Sequence, residues 1–236
     1  TNNGRKKFKK FLLEGRHPVE TALEQATEYE FLIVQEDFDL GELAEQVDND
    51  KLILVTKEVA NHISDTVHDQ GIFLIGYINE EDWQFPDDLS GKWLVLDNVQ
   101  DPGNIGTMVR TADAAGFTGV VFGDGTADFY NPKILRAMQG SQYHLQLKRL
   151  NLEKWIRNCK DQGSVIFGSI LDENARDYRK IDVPDQFSLI MGNEGNGMSE
   201  RLIEMTDMNL YIPIKGSAES LNVAVAAGVL MFGLAG

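Results

Sequence analysis

Three segments concentrate the residue types that could orient a small molecule or a weak nucleophile. The first is Asp97-Asn98-Val99-Gln100-Asp101-Pro102-Gly103-Asn104-Ile105-Gly106, which follows an apolar run and leads into a stretch carrying Arg110. A turn that opens a helix presents free N–H groups and the positive end of the helix, which suits phosphate or carboxylate. Its glycines let backbone approach a ligand closely. An ordinary strand-to-helix turn with a surface arginine is the other reading. The second segment, Met191-Gly192-Asn193-Glu194-Gly195-Asn196-Gly197-Met198-Ser199, sets a lone acid among three glycines and two asparagines. Asn-Gly pairs make tight turns, and the carboxyl end of a strand is where open α/β sheets bind ligands. The third runs from Ile212 through Lys215 and Ser220 to Leu221 and Asn222. From Leu221 to Gly236 Asn222 is the only polar side chain. Ser220 and Asn222 either cap the following helix or face a site.

The elements around these loops alternate. Expected before residue 80 are a helix over 18–27, a strand over 31–34, a helix over 40–47, a strand over 52–55, a helix over 57–66 and a strand over 72–78. Residues 79–91 are acidic and turn-rich. After them a strand is expected at 93–96 and a helix over 104–115, where Ile105, Met108, Val109 and Ala112 recur at i, i+3, i+4 and i+7. Strand 119–122, helices 132–140 and 151–161, strands 164–169 and 187–191, a short helix from 199, strand 209–212 and a last helix from about 220 complete the chain. Strands alternating with helices predict an α/β fold with a mainly parallel sheet. The expected division is a small α/β domain over 1–80, a linker over 81–91 and a larger domain over 92–236.

Composition narrows the class. A chain of 236 residues with 42% hydrophobic and 25% charged residues has enough interior for a packed core. The longest apolar stretch, Val223–Gly236, is shorter than the ~17–25 residues of a membrane-spanning helix and is read as a buried core helix. The single cysteine, Cys159, cannot form an internal disulfide, and residues 1–10 lack the apolar centre of a signal peptide. The expectation is a cytoplasmic protein with no membrane partner. His17, His62, His68 and His144 include no i, i+4 pair, so no helical zinc site is expected. Asp124 follows Gly103 by 21 residues, as a ribose-binding acid does in dinucleotide folds. The first loop, however, reads Gly-x-x-Gly, and that reading leaves the other two loops without a task.

The net charge is −15, which by itself opposes binding to nucleic acid. The charge is uneven. Residues 1–16 hold Arg5, Lys6, Lys7, Lys9, Lys10 and Arg16 against Glu14 alone, a local +5 on a remainder of −20. That arm is either a phosphate-contacting tail or a solvated terminus.

Taken together, the motifs resemble the SpoU (TrmH-type) branch of the SPOUT RNA methyltransferases. Leu96 through Ala112 is similar to the first motif of that family, Gly192 through Ser199 to the second, and Ile212-Pro213-Ile214 through Ser220-Leu221-Asn222-Val223-Ala224-Val225-Ala226 to the third. Asn131-Pro132-Lys133 through Gly140-Ser141 resembles the stretch between them. Phe11-Leu12-Leu13-Glu14-Gly15 is similar to the small substrate-binding domain of members that modify ribosomal RNA.

The resemblance implies transfer of a methyl group from S-adenosyl-L-methionine to a ribose 2′-hydroxyl of RNA, with ribosomal RNA preferred and tRNA second. It implies a trefoil knot in the C-terminal domain, a homodimer, and a cofactor held by Gly192, Ile212 and Leu221. Asn104, Arg110, Glu194, Ser220 and Asn222 would be the catalytic set. The residue matching Arg110 is assigned as the base in the family. A guanidinium normally stays protonated, so Arg110 could instead hold a phosphate and stabilise developing alkoxide charge. No metal is required. RNA contacts are expected from Arg5, Lys6, Lys7, Lys9, Lys10 and Arg16, then from Arg136 and Lys215.

Overall fold

The structure is a computed structural model that describes residues 2–64, 70–172 and 174–236. It divides into two compact units, one of residues 1–79 with 129–143 and the other of 80–128 with 144–236.

The first unit holds helix α1 (Asn2–Phe8), strand β1 (Lys10–Glu14), α2 (Arg16–Glu24), β2 (Tyr29–Gln35), β3 (Leu52–Val55), α3 (Lys57–Ile63) and β4 (Ile72–Tyr77). Its four-stranded sheet has the order β1-β4-β2-β3. β4 pairs antiparallel with β1 and β2, while β2 and β3 are parallel. One face is closed by a cluster of Ile33, Ala60 and Phe73 with Leu12, Phe31 and Ile75 packed against it.

The basic arm is therefore α1 and the start of β1, neither of which the sequence pattern marked. The helix expected over 40–47 is only a 3₁₀ turn at Gly41–Glu45. The segment is too short and too acidic to bury an amphipathic face. The helix expected over 57–66 ends at Ile63; residues 65 and 66, like His68, lie outside the described residues.

Residues 129–143 also belong to this unit. Asn131 caps α5 (Pro132–Met138) by accepting from the Lys133 N–H at 3.0 Å. The Tyr130 ring lies 5.0 Å from that of Phe11. The Arg136 guanidinium donates at 3.0 Å to the buried Glu14 carboxylate. The segment sits far along the chain within the stretch 92–236, yet these contacts pack it with residues 1–79.

The second unit is built on β5 (Lys92–Leu96), α4 (Pro102–Ala114), β6 (Gly119–Phe122), β7 (Gln146–Arg149), α6 (Leu152–Asp161), β8 (Val165–Ser169), β9 (Arg176–Asp177), β10 (Phe187–Met191), α7 (Glu200–Met205), β11 (Met208–Tyr211) and α8 (Val223–Ala235). The seven strands run β7-β6-β5-β10-β8-β11-β9, every pair parallel. β5 and β10 are buried along nearly their whole length, which explains their continuous apolar sequences. β7 and β9, absent from the sequence expectation, are the two edges. Both are short and polar, so neither shows an apolar run.

Trp93 and Trp155 pack edge-to-face with centroids 4.8 Å apart in the core beneath β5 and β10. The Trp155 indole donates to Ser188 Oγ and that of Trp93 to the Ser90 carbonyl, both at 3.1 Å. Neither buried donor is left unpaired, which would cost ~1–3 kcal/mol. α8 packs along α4. It is not the fully buried helix its composition suggested, because Val225 and Phe232 are more than half exposed.

Candidate functional site

The carboxyl ends of β5, β8, β10 and β11 open onto one side of the second unit, and the three loops singled out in the sequence meet there. Each is shaped first by its own backbone. Asp101 caps α4, its carboxylate accepting the Asn104 N–H at 2.8 Å, with Pro102 in the first turn. In the second loop Asn193 and Gly197 exchange backbone hydrogen bonds at 2.9 Å, and Asn193 Oδ1 accepts from Gly195 and Asn196. Gly192 is obligatory in that turn, because a Cβ there would run into the Gly197 carbonyl carbon and the Met198 nitrogen. In the third loop Asn222, not Ser220, caps the last helix: its Oδ1 accepts from Ala224 at 2.9 Å and Val225 at 3.2 Å.

Side chains then tie the loops together. The Glu194 carboxylate accepts the backbone N–H of Asp101 at 2.9 Å and of Gln100 at 3.2 Å, and the Asn104 amide lies 3.4 Å away. Asn104 Oδ1 in turn accepts from Asn222 Nδ2 at 3.0 Å. Glu194, Asn104 and Asn222 form one chain across residues far apart in sequence. Asn193 Nδ2 donates to the Asn98 carbonyl at 2.8 Å, and the buried Asp97 carboxylate accepts the Ser199 N–H at 2.7 Å. The Gln100 amide bonds to Asn98 Oδ1 at 2.9 Å and also to the Gly125 carbonyl.

Burial works to raise the Glu194 pKa, but the N–H groups of Asp101 and Gln100 and the Asn104 amide outweigh it and hold the carboxyl below its ordinary value. Glu194 is therefore ionised at neutral pH and committed as an acceptor. It positions loops and is unsuited to carry a proton away.

Beside this network lies a cavity of about 420 Å³, within the ~300–1,000 Å³ of small-molecule sites. Gly192, Ile212, Ser220 and Leu221 line it, together with Glu194, Met191, Met198 and Tyr211. Asn104 and Asn222 are not part of its lining, Asn222 being exposed, and Arg110 is exposed on α4, with no ion pair among the described residues. The residues missed in the sequence are Asp97, Asn193 and Tyr211. Asp97 and Asn193 sat inside the quoted motifs and needed only their hydrogen-bond capacity counted. Tyr211 ends a strand, and nothing in its sequence marked it.

Of the basic residues expected to contact RNA, Lys10, Arg16 and Arg136 make ion pairs within the first unit. Lys10 pairs with Glu30 at 2.6 Å, Arg16 pairs with Glu20 at 2.6 Å and lies over the Phe38 ring, and Arg136 holds Glu14. Lys6 and Lys7 are exposed, and Lys215 is exposed in the third loop of the second unit.

Residues 92–232 match the model of the SpoU rRNA Methylase family. The chain belongs to that family. Residues 1–74 match the MRM3-like substrate binding domain, so the SpoU methylase domain is preceded by a second recognisable module. The chain is 40% identical, over all of its length and 92% of the relative, to the 23S rRNA (guanosine(2553)-2′-O)-methyltransferase RlmP of Bacillus subtilis. Among solved structures, the AdoMet-bound rRNA methyltransferase of Sinorhizobium meliloti superposes with a TM-score of 0.87 at 28% identity, covering 99% of this chain and 90% of that one. The SpoU methyltransferase AviRb of Streptomyces viridochromogenes shares the fold at 24% identity, with a TM-score of 0.86 over all of this chain and 92% of its own.

The cavity suits S-adenosylmethionine on its own evidence. A sulfonium is cationic, and Glu194 is the sole charged side chain among the described residues of the wall. The rest combines apolar side chains and Gly-rich backbone with the neutral polar groups of Ser169, Asn193, Asn196, Tyr211 and Ser220, able to hold an adenosine by shape and hydrogen bonds.

Proposed function

We propose that this SpoU methylase transfers the methyl group of S-adenosylmethionine to a ribose 2′-hydroxyl of ribosomal RNA, with 23S RNA the first substrate to test. The observation that carries the reading is the Glu194–Asn104–Asn222 chain, whose Glu194 lines a cation-compatible cavity. When bound, S-adenosylmethionine supplies an electrophilic methyl on a neutral leaving group. The protein must align the ribose oxygen with that methyl and stabilise the charge left as the hydroxyl proton passes to solvent water.

Backbone groups of Gly192, Ile212 and Leu221 hold the cofactor. Glu194, Asn104 and Asn222 fix the three loops so that no reorganisation is needed at the moment of transfer. Ser220 supplies a hydroxyl at the wall. Arg110 holds the neighbouring phosphate and stabilises the developing alkoxide; a guanidinium is protonated at neutral pH, which suits it to that task better than to accepting a proton.

The convergence of the three loops supports a trefoil knot in which the segment 212–222 is threaded. The exposed Val225 and Phe232, two turns apart on α8, support a homodimer, since a C2 interface buries such a stripe against its copy. No helix among the described residues is long and apolar enough to cross a membrane. The ribosomal RNA substrate supports a cytoplasmic location.

The test is methyl transfer from labelled S-adenosylmethionine to unmodified ribosomal RNA and tRNA, followed by digestion to nucleosides. Label in a 2′-O-methyl nucleoside from ribosomal RNA is expected, and its loss in Arg110→Ala. Label from tRNA alone would move the target. Label on a base would overturn the ribose assignment. No label with either RNA would favour a binding protein without transfer.

A further inference from the structure

Two aromatic rings stand in solvent at one end of the sheet of the first unit. Phe8, at the end of α1, is 60% exposed, and Tyr77, at the end of β4, is 40% exposed. Lys10, two residues after Phe8, is the register partner of Tyr77, and the Ile78 N–H donates to the Lys9 carbonyl at 2.9 Å. The two rings are thus carried by chain segments hydrogen-bonded to each other. Each ring has an ammonium beside it: Lys7 Nζ lies 5.2 Å from the Phe8 centroid and Lys10 Nζ 5.6 Å from that of Tyr77. Two acids adjoin this group: Glu30 pairs with Lys10 at 2.6 Å, and the Glu28 carbonyl accepts the Tyr77 N–H at 3.4 Å.

Large apolar rings are normally buried, and an exposed cluster of them marks a contact surface. The charge around the cluster identifies the partner. Residues 1–16 carry +5 while the rest of the chain carries −20, so this is where a polyanion can settle. Aromatic faces interleaved with lysines are the combination that holds single-stranded nucleic acid: rings stack on bases and ammonium groups meet the phosphates between them. A-form duplex hides its base faces, so such a surface reads unpaired loops and not helices.

We propose that Phe8 and Tyr77 form a base-stacking platform that captures an unpaired segment of the RNA substrate. The proposal rests on the RNA-methyltransferase reading and adds the structural class of RNA that the first unit recognises.

The test uses the full chain. Binding of a uridine-only oligoribonucleotide and of a fully paired RNA duplex is measured by fluorescence anisotropy across a salt series, for the native protein, Phe8→Ala, Tyr77→Ala and Tyr77→Phe. Each alanine variant should weaken single-strand binding roughly 5- to 150-fold and leave the salt slope unchanged, because no cation is removed. Tyr77→Phe should bind as the native protein does, since the ring is kept. Lys7→Gln should lower the slope. Duplex binding should be weak and indifferent to both rings. In methyl transfer to ribosomal RNA the alanine variants should raise the KM for RNA with kcat and the KM for S-adenosylmethionine retained. Native affinity and KM in both alanine variants, with unchanged melting temperatures, would overturn the platform while leaving the methyltransferase reading intact. Ring-dependent single-strand binding in a protein that transfers no methyl would overturn that reading instead.

Discussion

Asn222 Nδ2 donates to Asn104 Oδ1 at 3.0 Å, across 118 positions of sequence, while the same Asn222 side chain caps α8 through its Oδ1. One amide therefore serves both stability and site geometry, and the two can be separated. Asn222→Asp keeps the capping oxygen and removes the donor to Asn104. Its melting temperature should stay close to native while methyl transfer falls at least about 10-fold, the reach of a misplaced orienting group. Asn222→Ala should lose the same activity and a further ~1 kcal/mol of stability with the cap, read by denaturant titration.

Glu194 predicts an acid-side effect. Its pKa in the folded protein is held below the ordinary 4.5, so its contribution to stability is complete above that value and is lost as pH falls through the lowered one. Glu194→Gln should be less stable than native by ~1 kcal/mol at neutral pH, a modest figure because the side chain is partly solvated. The gap should close on acidification below about pH 4.5, measured by paired melts across the acid range. A constant gap at all pH values would contradict the ionised role.

Arg110 is solvent-exposed on α4, so its replacement should not move the melting temperature by more than ~0.5 kcal/mol equivalent. Arg110→Ala should lower kcat by about 10²–10³, the size expected for removing a donor that stabilises transition-state charge. Arg110→Lys should restore only part, because a point charge does not reproduce the planar fork. Single-turnover transfer with labelled donor separates these cases.

Gly192→Ala tests the second loop. Its new methyl would meet backbone atoms of Gly197 and Met198, not a movable side chain, so the turn must shift at a cost of ~1–3 kcal/mol. S-adenosylmethionine binding, followed by calorimetry, should weaken by ~10-fold or more. Gly195→Ala, with only Asn193 Oδ1 at 3.7 Å in reach, should bind nearly as the native protein.

The basic arm should contribute salt-dependent affinity. Neutralising Lys6 and Lys7 together, both exposed, should reduce the slope of log K against log salt by ~1–2, measured with ribosomal RNA. An unchanged slope would remove the arm from the RNA interface.

The sequence by itself determined the elements whose signal is local. Apolar runs marked β5, β6 and β10, the i, i+3, i+4, i+7 spacing marked α4, and three loops with the right residue types stood at the ends of those elements. Asp101-Pro102 as the opening of a helix and Gly192 in a tight turn follow from chemistry that neighbouring residues alone impose. The tertiary structure decided what depends on partners distant along the chain. Nothing around Asn131–Met138 says that its Arg136 will be held by Glu14 of the first unit. β7 and β9 are strands because an edge position asks for pairing on one side only and tolerates polar residues, which leaves no apolar signature. α8 reads as a buried helix because hydropathy counts apolar atoms and cannot say that Val225 and Phe232 are left more than half exposed. The Glu194–Asn104–Asn222 chain is of the same kind: three polar side chains meet only because three loops end on one side of a parallel sheet.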